Sequence, residues 1–206
     1  MDSSRTQRGT RYFYYERALA ARLQSWWREE ILPAVPVHLR FASTHKETVS
    51  YPRVLIVLEA GAEATVVEEY VALEGADSYF GNAVSEIVVS ENARLRHVKL
   101  QHDARAAFHI GHCAVALARD ARYESDTITL GVRISPNTVN VVQQGEGAEC
   151  RIDGLTLISG RQLADTHTLI DHAQPHGVSR QLHKCIVDGA AHAVFNGKIM
   201  VRPGAQ

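Results

Sequence analysis

The sequence predicts a mainly β fold built as a stack of coils, a parallel β-helix. Three observations predict it. From Val37 onward, short runs rich in Val, Ile, Leu and Thr alternate with Gly, Asn and Asp. A turn-forming residue followed by Ala and then a strand recurs along the chain. Long helical stretches between the strands are missing, which disfavours a doubly wound βαβ sheet.

The strand runs are clearest at Val54–Leu58, Thr65–Val67, Ile87–Val89 and Val139–Val142. The best alternation is Ile128, Leu130, Val132, Ile134, and it predicts one strand with that apolar set buried. Val194–Val201 is another strong strand pattern, and an open strand edge there would be ready to pair, either with a further coil or with a partner.

The repeat reads Gly61-Ala62, Asn92-Ala93, Asp120-Ala121 and Gly147-Ala148, with Gly189-Ala190 as a candidate fifth member. Successive alanines stand 31, 28, 27 and then 42 residues apart. Gly, Asn and Asp tolerate a left-handed backbone, and Ala fits a tight corner. The competing reading is chance recurrence in a Gly- and Ala-rich β chain, and the uneven last interval keeps it open.

Two regions are expected. Residues 1–33 form an N-terminal helical segment, partly disordered over 1–10, and residues 34–206 form the β-helix core. In the first, Tyr12, Tyr15, Leu19, Leu23 and Trp26 recur at steps of three and four, which predicts an amphipathic helix over 11–31. Pro33 and Pro36 end it.

Composition narrows the function. A formal net charge of -1 gives no basic excess for a phosphate backbone, so nucleic acid is not an expected partner. No apolar run reaches the ~20 residues of a membrane helix, and the first residues lack a signal-peptide core. Three widely spaced cysteines, Cys113, Cys150 and Cys185, do not make a disulfide framework. A cytoplasmic protein is expected, with neither membrane nor nucleic acid as partner.

Catalytic motifs are absent. A phosphate loop would need Gly at 192, which is His, and Ser or Thr after Lys198, which is Ile199. No G-x-S-x-G, H-E-x-x-H or C-x-x-C occurs. Histidine is the exception, with nine of eleven between His97 and His192. The densest segment contains Asp165, His167, Asp171, His172 and His176. Imidazole and carboxylate suit iron or zinc. In one strand, however, Asp165, His167 and Asp171 share one face and His172 takes the other, so a metal would need residues from adjacent coils. His109 and His112, flanking Gly111 before Cys113, form a second pair, read either as a soft-metal site or as a turn entering the strand 113–117. Cys150 reads as core, and Cys185 is the cysteine to test for sulfur or cluster contact.

Several segments together resemble a known family. They are Tyr79-Phe-Gly-Asn82, Glu91-Asn-Ala93, Gly145-Glu-Gly-Ala148, Asp165-x-His167-Thr168, Ile170-Asp-His172, Pro175-His176, Ser179-Arg180 and Phe195-Asn-Gly-Lys198. Their order and spacing through 35–206 are similar to the SufD branch of the SufB/SufD family. The resemblance implies a right-handed parallel β-helix and a non-catalytic scaffold role in iron–sulfur cluster assembly. It implies a SufB-like paralogue and a SufC-like ABC ATPase as partners, no tightly bound cofactor, and a transient iron–sulfur cluster at a partner interface. A homodimer is a further option. Family members usually continue past position 206 with a Lys-Cys-Ser-His-like segment and an ATPase-docking tail, so the chain reads as a SufD truncated at its C-terminus. The alternatives are a His-rich metal-dependent β-fold enzyme and a non-functional SufD remnant.

Overall fold

The computed structural model describes residues 35–205, and the backbone of three short strands before them. Those three are β1 (Thr6–Gln7), β2 (Thr10–Tyr14) and β3 (Leu19–Leu23). Then come β4 (Val37–Ser43), β5 (Val49–Ser50), β6 (Arg53–Leu58), β7 (Glu63–Ala72) and β8 (Phe80–Val89). They are followed by β9 (Arg94–His102), β10 (Phe108–Leu117), β11 (Arg122–Thr129) and β12 (Ile134–Gln143). The series closes with β13 (Glu149–Ile158), β14 (Leu163–His172), β15 (Val178–Val187) and β16 (His192–Val201).

Strands alternate between two sheets. One runs β1-β2-β4-β7-β9-β11-β13-β15 and the other β3-β6-β8-β10-β12-β14-β16, with β5 beside β8. Every pairing is parallel except β1 with β2. Each strand therefore pairs with its equivalent one coil away, which is the parallel β-helix expected. No helix occurs among the described residues, so none there is long and apolar enough to cross a membrane.

The helix expected over 11–31 lies largely outside the described residues. Where the backbone is described, at β2 and β3, it is strand, paired in parallel with β4 and β6. The free edge of a β-helix offers a row of unpaired N–H and C=O groups, and that ladder overrides a local 3.6-residue spacing. The disorder expected over 1–10 likewise falls mainly outside the described residues.

The repeat is the corner between sheets. Gly61, Asn92, Asp120 and Gly147 all have φ between 54° and 68°. The next member is His176 (φ 60°), followed by Gly177. Gly189-Ala190 lies instead at the corner between β15 and β16, where Gly189 continues the position of Gly160; this explains the 42-residue interval. Ala93, Ala121 and Ala148 are fully buried at their corners. Enlarging Ala121 to Val should cost about 1–3 kcal/mol by overpacking, read as a lower midpoint in thermal or urea unfolding.

Inside, the core is split. One half is aliphatic, with Ile56, Leu58, Ile87, Val89, Leu117 and Val141 buried. The other half is polar and includes Glu68, His97, Lys99, Asn137 and Thr168. This overturns the strand expected over 127–134. β11 stops at Thr129, β12 begins at Ile134, and residues between form the corner. Thr127 and Thr129 point inward while Ile128 is half-exposed, because the interior at that level is the polar half. Hydrophobic alternation therefore reported the wrong face over 127–129, while Val132 of the expected set is buried.

Candidate functional site

β14 carries the densest histidine segment, and the structure spreads its candidates. Asp165 and His167 lie on the outer face, where His167 Nε2 is 2.9 Å from Asp165 Oδ1. Asp171 is buried against Arg202 of the following coil, whose Nε donates to both carboxylate oxygens at 3.0 and 3.1 Å. His172 turns inward, its Nε2 2.9 Å from Ser179 Oγ. His176 occupies a left-handed corner, exposed, 3.7 Å from Glu146. Cys185 lies exposed on the inner face of the last coil. The strand's alternation thus divides the set as its sequence spacing implied. Among the described residues no group of three or more His, Cys, Asp or Glu is placed to hold a metal ion.

His109 and His112 also separate. The strand already begins at Phe108, so no turn precedes Cys113. His109 and Cys113 point inward and His112 outward. Cys150 is core, as read, and burial pushes its thiol up to about 12.

The structure brings together a different set, deep in the polar half. Glu68, on β7, lies opposite Lys99 of β9, and His97 is the inward residue two positions before Lys99. Glu68 Oε1 is 3.2 Å from His97 Nε2. Its Oε2 accepts from Tyr70 at 3.0 Å and Ser85 at 2.9 Å. The other nitrogen of His97 is 3.0 Å from Tyr123 Oη. Lys99 Nζ donates to Asn137 and sits over the Tyr70 ring. Burial alone would raise the Glu68 pKa, but the His97 charge, with Lys99 and the hydroxyl donors, brings it down from 4.5 to about 2. Burial would lower His97, and the Glu68 carboxylate overrides it, raising it from 6.5 to about 10. The group is an internal ion pair whose other carboxylate oxygen is held by two hydroxyl donors, which offsets part of the cost of burying the charge.

A second buried set lies nearby. Asp103 Oδ1 accepts from Tyr79 at 2.6 Å, and Oδ2 lies 3.1 Å from His109 Nδ1. Sequence reasoning missed the first set, and of the second it singled out only His109. A charged residue at an inward strand position was the available signal, visible as Glu68 and Lys99 two residues from other inward residues, with Asp103 just past the end of β9, but alternation in hydrophobicity hid it.

At the last coil the ladders stop. β15 has β13 as its neighbour and β16 has β14, so each shows a free edge among the described residues. Phe195, Ile199 and Val201 of β16 and Val187 of β15 are exposed on its inner face. His183 stacks on Phe195, ring centroids 4.6 Å apart.

Comparison with known proteins gives this architecture a lineage. Residues 41–206 match the family model described as the SufBD core domain of SUF system FeS cluster assembly. An iron–sulfur cluster assembly SufBD family protein of Synechocystis is 39% identical over 180 residues, covering 83% of this chain and 40% of the relative. The chloroplastic protein ABCI7 of Arabidopsis thaliana is 34% identical, covering 83% and 38%. The iron–sulfur cluster assembly protein SufD of Escherichia coli is 38% identical over 144 residues, covering 70% and 34%. The chain thus spans about 40% or less of the length of these relatives. Their shared core, matched here from Phe41 onward on the coils just described, places this chain in the SufBD family of the SUF iron–sulfur cluster assembly system.

Proposed function

We propose that the chain is a non-catalytic scaffold subunit of iron–sulfur cluster assembly, acting in a complex with a SufB-like paralogue and a SufC-like ABC ATPase. Family membership supports a place in the SUF system. The observation that carries the scaffold reading is the last coil. Two parallel strands end there with free edges, and an apolar inner surface is exposed beside them. Unpaired backbone N–H and C=O groups next to apolar side chains form a template for another β-coil, whether a partner's or a further coil of the same chain. Glu68, His97 and Lys99, by contrast, are engaged inside the core with one another and with Tyr70, Ser85 and Asn137.

Cys185 is the one exposed cysteine of the three and lies on this same surface. A nascent cluster, as cargo, would meet it at the interface with the partner.

Co-expression of the tagged chain with a SufB-like protein tests the proposal. The partner is expected to be retained, and Ile199→Asp, at a position 57% exposed, to reduce its retention with little change in melting temperature. Absence of retention, or full retention by the Ile199→Asp variant, would count against pairing through the last coil.

A further inference from the structure

A cavity of about 500 Å3 opens in the early coils, under the segment 43–52. Its walls include four aromatic rings, Phe41, Tyr51, Tyr70 and Tyr79, and one permanent charge, the carboxylate of Asp103. Among the described residues no lysine or arginine lines it, and His45 and His109 are its basic groups. Phe41 and Tyr70 stack with centroids 5.0 Å apart, giving a fixed aromatic wall.

Asp103 is built in. Tyr79 donates to one oxygen, while Gln101, at 3.3 Å, and His109 hold the other. Those three contacts leave about one of a carboxylate's four acceptor positions. Burial would push the Asp103 pKa up, but His109, Tyr79 and Gln101 hold it below its ordinary range, so the group is charged.

This chemistry selects by charge. An anion would meet Asp103 without a permanent countercharge among the described lining residues. A neutral apolar compound would leave the remaining acceptor position unused. A small organic cation satisfies both features, because aromatic faces attract ammonium groups and a carboxylate accepts their N–H donors. The volume lies within the range of small-molecule sites, roughly 300–1,000 Å3.

From this geometry we propose that the cavity is a binding site for a small alkylammonium compound, held by Asp103 and the aromatic rings of Phe41, Tyr51 and Tyr79, with Tyr70, already under Lys99, backing the wall. The site is separate from the last coil and independent of the scaffold role.

Calorimetric titration of the full chain tests it with three probes of one size: n-butylammonium, n-butanol and butyrate. The ammonium probe is expected to saturate in the millimolar range, with n-butanol about tenfold weaker and butyrate weaker still. Tyr51→Ala removes an exposed ring and should weaken the ammonium probe about two- to fivefold while preserving the melting temperature. Asp103→Asn, where it folds, should reduce the preference for ammonium over alcohol to near unity. Equal binding of the three probes, no saturation by n-butylammonium up to about 100 mM, or unchanged affinity in Tyr51→Ala would overturn the assignment. The probe comparison and Tyr51→Ala decide the question even if Asp103→Asn fails to fold.

Discussion

Glu68→Gln is expected to lower stability by about 3–5 kcal/mol, because it breaks a buried ion pair and His97, without its counter-ion, must give up its proton to stay enclosed. In the native protein, His97 and Glu68 are almost wholly enclosed, so water cannot replace the lost partner. The change should also alter the pH profile. Glu68 has a folded pKa of about 2 against an ordinary 4.5, so its contribution is present above pH 4.5 and is lost as pH falls through 2. His97 is raised from 6.5 to about 10, so its contribution is full below pH 6.5 and is lost as pH rises through 10. The pair therefore stabilises most between pH 4.5 and 6.5. Thermal unfolding followed by circular dichroism should show the wild-type midpoint declining from pH 6.5 toward 10. In Glu68→Gln the starting midpoint should be lower and that alkaline decline largely gone, since a buried, unpaired His97 is already neutral. A variant as stable as wild type, with the same alkaline slope, would show that the ion pair contributes nothing.

Gly145→Ala is expected to cost more than the about 1–3 kcal/mol of ordinary overpacking. A Cβ at 145 would stand 2.0 Å from the Arg119 backbone nitrogen and 2.3 Å from the Ala118 carbonyl carbon, atoms of the preceding coil. Gln144 and Gly145 both donate to Leu117 O, so this corner is tied to that coil and cannot move away without breaking the ladder. Gly81→Ala is the matched control. A Cβ there meets its neighbours at 3.7 Å or more, ordinary contact, so a small effect is expected. Urea unfolding of the two variants should separate them clearly; equal midpoints would refute the close packing of successive coils at Gly145.

Much of the architecture could be read from the chain because corners and strands obey local rules. Left-handed backbone at Asn92, Asp120 and Gly147, each followed by a buried Ala, announces the coil before any packing is known. The interior was less legible. At Thr127 and Thr129 the inward face is polar, and the aliphatic Ile128 turns outward, so the usual inference from alternation inverts. The histidine-rich segment drew attention by density, yet strand geometry sends His167 out and His172 in. Glu68, His97 and Lys99 meet across neighbouring coils, a relation fixed by ladder register and coil length together. His176 shows how one position misleads: an exposed histidine in a dense run resembles a ligand, whereas its backbone fills a corner. At β2 and β3, the described parts of 11–31, strand replaces the helical spacing for a related reason, since a free ladder edge is a stronger local determinant there than side-chain periodicity.

The scaffold reading turns on whether a partner occupies the last coil. Amide hydrogen exchange of the chain, alone and with a SufB-like protein, measures this directly. Slowed exchange in β15 or β16 on complex formation, with the middle strands β9 to β12 unchanged, is the predicted result. A complex that forms while β15 and β16 exchange as they do in the free chain would contradict it.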